Sequence, residues 1–571
     1  MGRLYYENKN FAGGAFEKKV IKAVYFGAEL LWPHLSPVLF VDPLTIDFAG
    51  FGGSENIQVV IINIPSASYT VTVPDWLTVS NKTQNGFTLT ASPNITGTSL
   101  TDIVTVSLDD FPEQILNIDV SQAVQSVLEL DTAWTTVSNQ YFLMDNLNII
   151  ADFGDGTIVN VSEIIPTPVI PYRLYHTFQA GTFTVKFYNM QSIPDLFIIS
   201  SVKVTAVKFI SGIIKRIGVQ AFYNSGYITS FIADLSSITS LGDLSFYGAF
   251  ASGSNVELDF SSPDFESIGN AVFKGSRLAK IRFNPNATFS IGTSVFDGIA
   301  NLTELILGKV TSIGVNAFYN CGSISSFSAD FSLLTSVADN VFYAAFASTS
   351  SIELDFNSEL FASIGANAFK SCKAIKIRFN PNATFSIGTN AFDSCTRITE
   401  LILGKITSLG DFAFYNCGSI SSFSADFSLL TQTVDSASLG GTFHAAFAAG
   451  SHIEVDFMSE DFTRLGNYTF YNSKVWKVHF NPNAVFTVGT GAFSGCTELV
   501  ELILGKVTGI ESGAIGGTLL QTIRIYNTNP PPMAATISTN SLQAIYVPAA
   551  SVSAYQQATG WVTYASKIIG F

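Results

Sequence analysis

Basic residues are scarce in this chain of 571 residues, which carries 29 Lys and Arg against 44 Asp and Glu. The formal net charge of −15 at pH 7 argues against nucleic acid as a partner, because neutralising phosphates requires clustered Lys and Arg. It argues equally against a polybasic membrane surface. Long apolar runs are also missing. Although 47% of the residues are hydrophobic, no stretch of about 18 apolar residues occurs, so no membrane insertion is expected.

Two further absences concern targeting and metal chemistry. The segment from Met1 to Pro33 has no basic region followed by an apolar one, so no secretory signal peptide is expected. The chain has five Cys and five His. No pair of cysteines has C-x-x-C spacing, and no two histidines have the spacing of metal ligands. The sequence therefore predicts neither a metal nor a cofactor.

An internal repeat dominates what is present. The hexapeptide IGVNAF begins at Ile313 and recurs in related forms at Ile364, Ile387 and Leu409. Degenerate copies bring the total to 13 and begin at Ile217, Leu241, Ile268, Ile291, Val337, Ser438, Leu465, Val488 and Ile510. Spacings of 22 to 27 residues within a block suit one strand and one tight turn per coil of a solenoid.

The coils are grouped in larger blocks. The segment LILGK begins at Leu305, Leu401 and Leu502, so a block of four coils repeats with steps of 96 and 101 residues. We expect 13 coils over residues 208–525, arranged as three blocks of four plus one. The repeat phenylalanines should form a continuous internal spine, and they include Phe222, Phe273, Phe318, Phe369, Phe414, Phe470 and Phe493.

This repeat resembles the BspA-type leucine-rich repeat, whose pattern is IGxxAFxxCxxLxxIxL. The tail Pro530–Phe571 is similar to the segment that ends many such proteins. Residues 526–571 are therefore expected to cap the solenoid, since its last coil would otherwise expose apolar core. A short helix with Ser551 as its N-cap should offer Val552, Tyr555 and Ala558 to that end, with Trp561 following.

The first 207 residues lack this repeat. Their short runs of alternating apolar and polar residues predict strands separated by turns. Residues 36–123 contain PDWLTVS (74–80) and GFTLTASPN (86–94), and resemble a BACON-type immunoglobulin-like domain. That resemblance implies a β-sandwich associated with carbohydrate. Residues 124–207 contain ADFGDGT (151–157), YHTF (175–178) and AGTFTVKFY (180–188), and resemble a PKD-type immunoglobulin-like domain.

The N-terminal residues 1–35 form a separate short element. The segment Val20–Pro33 is typical of a hairpin with Gly27–Ala28 at the turn, and it resembles an N-terminal segment of phage structural proteins. The predicted fold class is mainly β: two immunoglobulin-like β-sandwiches followed by a leucine-rich-repeat solenoid with a C-terminal cap.

Each cysteine follows a repeat phenylalanine by three residues. The five are Cys321, Cys372, Cys395, Cys417 and Cys496, and other coils carry Ser225, Ser276, Ala345 or Ser473 at this position. A position that accepts Cys, Ser and Ala requires a small buried side chain, so we interpret the cysteines as structural rather than nucleophilic.

Acidic and basic pairs alternate along the repeat. Each acidic pair is followed 23 residues later by a basic one: Glu257/Asp259 by Lys280/Arg282, Glu353/Asp355 by Lys376/Arg378, and Glu454/Asp456 by Lys477/His479. One coil further on, these positions lie on or near the adjacent strand, where opposite charges attract. A structural charge ladder is the favoured interpretation. A ligand-binding stripe is the alternative, and paired carboxylates also occur in glycosidases.

Tyrosine follows the repeat phenylalanine in several coils and offers a flat apolar face with a polar tip. The candidate ligand surface therefore comprises Tyr223, Tyr319, Tyr415 and Tyr471 together with Lys280, Arg282, Lys376 and Arg378. Solvated turn residues are the alternative. Asp152 and Asp155 could bind Ca²⁺, but two carboxylates are too few to predict a site. His176 is interpreted as a packing or hydrogen-bonding residue.

No arrangement of residues points to catalysis, so the chain is predicted not to be an enzyme. The first hypothesis is a structural and adhesive protein of a phage virion, a fibre or tail appendage that assembles in the host cytoplasm. Its partners would be other virion proteins through the N-terminal region and a glycan or protein on the host surface, and a homo-oligomer is expected. The alternative is a BspA-like adhesin on a bacterial surface, and a glycan hydrolase comes third.

Overall fold

The structure is a computed structural model. It describes residues 4–8, 19–26, 29–30, 37–49, 52–62, 64, 66–94, 99–123, 127–134, 136, 138–144, 149–161, 172–188, 193, 197, 203–211, 214–435, 441–538 and 540–571. The fold is mainly β, as predicted, with 41% strand and 3% helix.

The N-terminal strands are β1 (Leu4–Asn8), β2 (Lys19–Phe26) and β3 (Glu29–Leu30). They form one antiparallel sheet in the order β1-β2-β3. Phe26 is paired with Glu29, which is the strand pairing of the predicted hairpin. The predicted turn at Gly27–Ala28 lies outside the described residues.

Two four-stranded sheets follow, in the orders β4-β6-β9-β8 and β5-β11-β10-β7. Residues from both sheets, among them Leu89 and Ile118, form one hydrophobic core, as in a β-sandwich. The strands are β4 (Val38–Asp42), β5 (Thr45–Phe48), β6 (Gly53–Ile62), β7 (Tyr69–Thr72), β8 (Leu77–Thr83), β9 (Gly86–Ala91), β10 (Leu100–Leu108) and β11 (Phe111–Gln122).

The next unit has a sheet in the order β15-β14-β17-β12-β18-β20 and a two-stranded ribbon, β13-β16. Its strands are β12 (Val127–Trp134), β13 (Ser138–Met144), β14 (Ile150–Asp152), β15 (Ile158–Asn160), β16 (Tyr172–Phe178), β17 (Gly181–Tyr188) and β18 (Val204–Ser211). Strand β18 pairs antiparallel with β12 and parallel with β20 (Ser230–Ile232), the first solenoid strand of this sheet. The predicted boundary between residues 207 and 208 thus falls inside a strand that belongs to both units.

The solenoid winds from residue 206 in about 15 turns. Its strands are β19 (Arg216–Ile217), β20 (Ser230–Ile232), β21 (Ser240–Leu241), β22 (Glu257–Phe260), β23 (Ser267–Ile268), β24 (Lys280–Phe283), β25 (Thr288–Ile291), β26 (Glu304–Ile313), β27 (Ser326–Asp330), β28 (Ser336–Val337), β29 (Glu353–Phe356), β30 (Ser363–Ile364), β31 (Lys376–Phe379), β32 (Thr384–Ile387), β33 (Glu400–Leu409), β34 (Ser422–Asp426), β35 (Glu454–Phe457), β36 (Arg464–Leu465), β37 (Lys477–Phe480), β38 (Val485–Val488), β39 (Glu501–Leu504), β40 (Lys506–Ile510), β41 (Thr522–Ile525), β42 (Ala544–Val547) and β43 (Ile568–Gly570).

Each coil has three segments. A strand with alternating burial, such as β31, forms one side, and a second strand, such as β32, forms another. The third side is the turn that carries the repeat phenylalanine. The rings of these phenylalanines stack from coil to coil, and Phe369 lies 5.3 Å from Phe342 and 5.1 Å from Phe392 between centroids. The predicted internal spine is therefore confirmed.

The close approach of adjacent coils explains the glycine at the second position of the hexapeptide. A Cβ atom on Gly314 would lie 2.5 Å from the backbone nitrogen of Thr293 in the preceding coil, so this position has no room for a side chain. Two residues later, Asn316 has φ of 59°, in the left-handed region that Asn tolerates better than most residues. Glycine is thus favoured where the coils approach closely, and asparagine where the left-handed conformation occurs.

The C-terminal region corrects the predicted number of coils. The 13 hexapeptide copies account for turns up to β41, but β42 and β43 continue the same parallel sheet within the segment expected to be a cap. These two turns lack the hexapeptide, so the repeat pattern could not reveal them.

In this region the α-helix α1 (Val552–Gln557) is flanked by the 3₁₀ helices Ala549–Ser551 and Val562–Lys567. Tyr555 and Trp561 are fully buried, and Val552 and Ala558 pack against the same core, as expected. Ser551 occupies the N-cap position, but its side chain makes no capping hydrogen bond.

Candidate functional site

The five cysteines lie inside the solenoid, and all are buried and free. The thiol of Cys395 donates a hydrogen bond to the backbone oxygen of Phe369 in the preceding coil, with 2.8 Å between the sulfur and oxygen atoms. Burial raises the pKa of Cys372 to about 12. A nucleophile needs access to substrate, and these buried thiols have none. The structural interpretation is confirmed.

The charge ladder forms on the strand side of each block. In the first block, Glu257, Lys280 and Glu304 are register partners on β22, β24 and β26. Lys280 Nζ lies 2.8 Å from Glu257 Oε1. Arg282 Nε lies 2.6 Å from Glu304 Oε1, and its Nη1 lies 3.3 Å from Glu257 Oε2.

The second block repeats this geometry on β29, β31 and β33. Lys376 Nζ lies 2.9 Å from Glu353 Oε1. Arg378 Nη1 lies 2.9 Å from Glu353 and 3.1 Å from Asp355, while its Nε pairs with Glu400. Hydrogen bonds from Lys376 and Arg378 lower the pKa of the Glu353 carboxyl. The basic side chains proposed as ligand contacts thus have their charges compensated within the ladder.

The third block is a variant. Lys477 Nζ lies 3.3 Å from Glu454 and 4.2 Å from the ring centroid of Trp476. His479 replaces arginine, and its Nδ1 lies 3.0 Å from Asp456 Oδ1. With 19% of its side chain exposed, His479 is a member of the ladder rather than a free surface residue.

Aromatic side chains stack on the turn side of the solenoid. Tyr223 lies 5.1 Å from Tyr247 of the next coil, and Tyr319 lies 4.8 Å from Tyr343, measured between ring centroids. These tyrosines are half-buried rather than fully solvated, because each ring packs on the neighbouring coil. We call this row the tyrosine column.

In the third block, His444 lies between Tyr415 and Tyr471, with ring centroids 4.7 and 5.1 Å away. Sequence reasoning missed His444 and the stacking partners Tyr247 and Tyr343. The signal was present, because each follows a repeat phenylalanine in a degenerate copy of the hexapeptide. The pairing itself depends on which coil lies next to which.

Ion pairs occupy the same position in the intervening coils. Lys274 Nζ lies 2.7 Å from Asp297 Oδ2, and Lys370 Nζ lies 2.8 Å from Asp393 Oδ2. The tyrosine column is therefore interrupted by one ion pair in each of the first two blocks. From one block to the next, four coils at ~4.8 Å each place equivalent tyrosines about 19 Å apart.

The DFGDGT turn of the second unit uses its carboxylates for local bonds. Asp152 Oδ1 accepts a hydrogen bond from the Gly154 backbone, and Asp155 Oδ1 accepts one from the Thr157 backbone. Asp155 Oδ2 lies 2.7 Å from His176 Nε2. His176 has the hydrogen-bonding role expected of it. Among the described residues, no group of three or more His, Cys, Asp or Glu could hold a metal ion.

Comparison with known proteins identifies the repeat. The family model of the BspA type leucine rich repeat region matches residues 215–345, 334–437 and 444–533, in six copies. Together these segments cover just over half of the chain. No curated protein matches. In the described part of the chain, no helix is long and apolar enough to span a membrane.

A crystal structure of a leucine-rich repeat protein from Bacteroides ovatus ATCC 8483 is similar, with 15% sequence identity and a TM-score of 0.33. The match covers 65% of this chain and 96% of that one. Because the family model spans more than half of the residues, this chain belongs to the BspA-type leucine-rich repeat family.

Proposed function

We propose that this protein is a non-enzymatic, adhesive structural protein whose solenoid presents a repeated surface to a large, extended ligand. The observation that carries the proposal is the recurrence of the same side chains in successive blocks. The pair Lys274–Asp297 returns as Lys370–Asp393, and the stacked pair Tyr223–Tyr247 returns as Tyr319–Tyr343. Enzymes need one asymmetric site, whereas a repeated surface gains affinity from several weak contacts to one ligand.

The tyrosine column is the proposed contact surface. Each half-buried tyrosine combines an apolar ring with a polar hydroxyl group, and this combination is common in recognition surfaces. The charge ladder is the less suitable surface, because a ligand would have to displace ion pairs that already satisfy Lys280, Arg282, Lys376 and Arg378.

The proposed setting is a phage virion, with the protein as a fibre or tail appendage. The resemblance of residues 20–33 to phage structural proteins supports this setting, and the N-terminal region would then join other virion proteins. The BACON-like and PKD-like units would act as spacers in a homo-oligomeric fibre that contacts a host-surface glycan or protein. The second candidate is a cell-surface adhesin of a bacterium, which membership of the BspA-type family supports.

The BACON-like and BspA-like resemblances imply a host among gut Bacteroidota, so mass spectrometry of phage particles purified from such a culture separates the two settings. The same measurement is made on envelopes of uninfected cells. Stoichiometric peptides of this chain in the particles would support the virion setting. Peptides found only in the uninfected envelopes would overturn it and leave the adhesin.

The contact surface is tested with variants of the full chain in a cell-binding assay. Tyr223→Ala, Tyr319→Ala and both together are compared with Leu333→Ala and Leu429→Ala, two residues that are each 47% exposed in equivalent coils. We expect each tyrosine change to weaken binding and the double change to weaken it roughly multiplicatively. Equal binding by the tyrosine variants and the leucine controls would contradict the proposal.

A further inference from the structure

The β13-β16 ribbon of the second unit carries an exposed aromatic cluster outside the solenoid. Tyr141 on β13 lies directly opposite Tyr175 on β16, with 5.3 Å between their ring centroids and 46° between the ring planes. Tyr175 is 57% exposed. The guanidinium carbon of Arg173 lies 5.2 Å from the Tyr141 ring centroid. We call these three side chains the ribbon platform.

The ribbon platform is held on a rigid base. Because successive side chains of a strand point to opposite faces, the residues next to the platform point into the core. Phe142, Leu174 and Phe178 are at most 1% exposed and belong to the core that continues into the solenoid.

His176 fixes the strand from the same inner face. Its ring stacks on Phe153 with 3.9 Å between centroids and 6° between planes. Its Nε2 lies 2.7 Å from Asp155 Oδ2. These contacts tie β16 to the DFGDGT turn. A platform that is already ordered pays little conformational entropy when a ligand binds.

We propose that the ribbon platform is a binding site for a neutral glycan. The C–H face of a pyranose ring carries small positive charges and is attracted to the negative face of an aromatic ring. The guanidinium beside the Tyr141 ring has five N–H donors in a planar fork, and such donors bond to sugar hydroxyl oxygens. The flat apolar surface and the adjacent donors are the two features that a sugar ring needs.

The charge of the chain favours a neutral glycan over an acidic one. The net charge of −15 repels polyanions at long range, and one guanidinium does not reverse that field. A cross-strand tyrosine pair also stabilises its ribbon, but that role does not require a cation over the same ring. The inference does not depend on the proposed role of the solenoid, because no residue is shared between the two surfaces.

Isothermal titration of the full chain with neutral and acidic hexasaccharides tests the site. The neutral set is built from glucose, mannose, xylose or N-acetylglucosamine, and the acidic probe is hexagalacturonate. The variants are Tyr175→Ala, Tyr175→Phe and Arg173→Ala. The matched control is Tyr227→Ala, because Tyr227 is 53% exposed and has Lys203 Nζ 5.9 Å from its ring centroid.

We expect at least one neutral hexasaccharide to bind, and Tyr175→Ala to weaken that binding about tenfold, which corresponds to ~1.4 kcal/mol. Tyr175→Phe should retain most of the affinity, because the aromatic face remains. Tyr227→Ala should leave it unchanged, and thermal melts should show that all variants are folded. No binding of any neutral hexasaccharide, binding of hexagalacturonate alone, or unchanged binding by Tyr175→Ala would each overturn the inference. If the solenoid variants lost cell binding but still bound the hexasaccharide, the tyrosine column and the ribbon platform would be shown to bind independently.

Discussion

The glycine of the repeat hexapeptide lies against the backbone of the preceding coil. In Gly314→Ala, the added methyl group would lie 2.5 Å from Thr293 N and 2.6 Å from the carbonyl carbon of Gly292. Backbone atoms cannot move aside as a flexible side chain can, so the coils must separate locally. We expect a loss of about 1–3 kcal/mol in the free energy of unfolding, measured by urea denaturation.

Gly322 provides the control within the same coil. A Cβ atom there would lie 3.8 Å from the Ala344 backbone oxygen, which is an ordinary contact. Gly322→Ala should therefore unfold at nearly the same urea concentration as the parent chain. An equal loss in both variants would show that close approach of coils is not what glycine provides at position 314.

The turn position two residues after that glycine is tested by exchanging leucine and asparagine between two coils. Leu244 has φ of 59° where equivalent coils carry Asn316 and Asn340, at 59° and 56°. The left-handed conformation costs most L residues ~1–2 kcal/mol, and Asn less. Leu244→Asn should raise the thermal midpoint and Asn316→Leu should lower it, both measured by circular dichroism. Shifts of the same sign in the two variants would contradict this explanation.

At the scale of the element, the charge ladder predicts a pH dependence. The pKa of Glu353 is lowered by hydrogen bonds from Lys376 and Arg378, relative to about 4.3 in an unfolded chain. A carboxyl whose pKa is lower in the folded state contributes stability above the unfolded pKa. That contribution is lost as the pH falls through the folded pKa.

Glu353→Gln should therefore be less stable than the parent chain at pH 7, by ~0.2–1 kcal/mol because the ladder is largely solvent-exposed. The difference should shrink as the pH falls below the unfolded pKa of about 4.3. Glu359→Gln, at an exposed carboxylate of the same block outside the ladder, is the control. Denaturant titrations at several pH values measure both variants. A difference for Glu353→Gln that did not shrink as the pH was lowered would exclude the ion pairs as its cause.

At the scale of the whole molecule, the described residues form two large cores. One lies within residues 39–120, and the other runs from Leu128 through the solenoid to Ile568. Strand β18 of the second unit pairs with β20 of the solenoid, so the sheet is continuous between them. A solenoid needs its first coil covered, and the second unit provides this cover.

Two truncations test that arrangement. Removal of residues 1–123 should leave the main thermal transition in place, because the long core stays intact. Removal of residues 1–211 deletes β18 and exposes the first coil, so the transition should shift to lower temperature or give way to aggregation. Circular dichroism and size-exclusion chromatography report both outcomes. A solenoid that melted unchanged without residues 1–211 would show that it needs no cover from the second unit.

The repeat could be predicted because its causes are local or strictly periodic. The spacing of IGxxAF marks one coil, and the exchange of Cys for Ser and Ala at one position marks a small buried side chain. Alternation of charge at steps of one coil predicted the ladder with the correct partners for Lys280 and Lys376. The candidate tyrosines were found for the same reason.

Residue spacing and side-chain size therefore specify the coil, its buried face and the step between coils. The three-dimensional arrangement alone specified which side chains meet across coils, such as Tyr343 on Tyr319, and across the ribbon, such as Tyr141 on Tyr175. It also decided that β42 and β43 add two turns without the motif, and that β18 joins two units. These features depend on strand pairing between distant segments. Backbone hydrogen bonds form with almost any residue type, so the sequence does not reveal them.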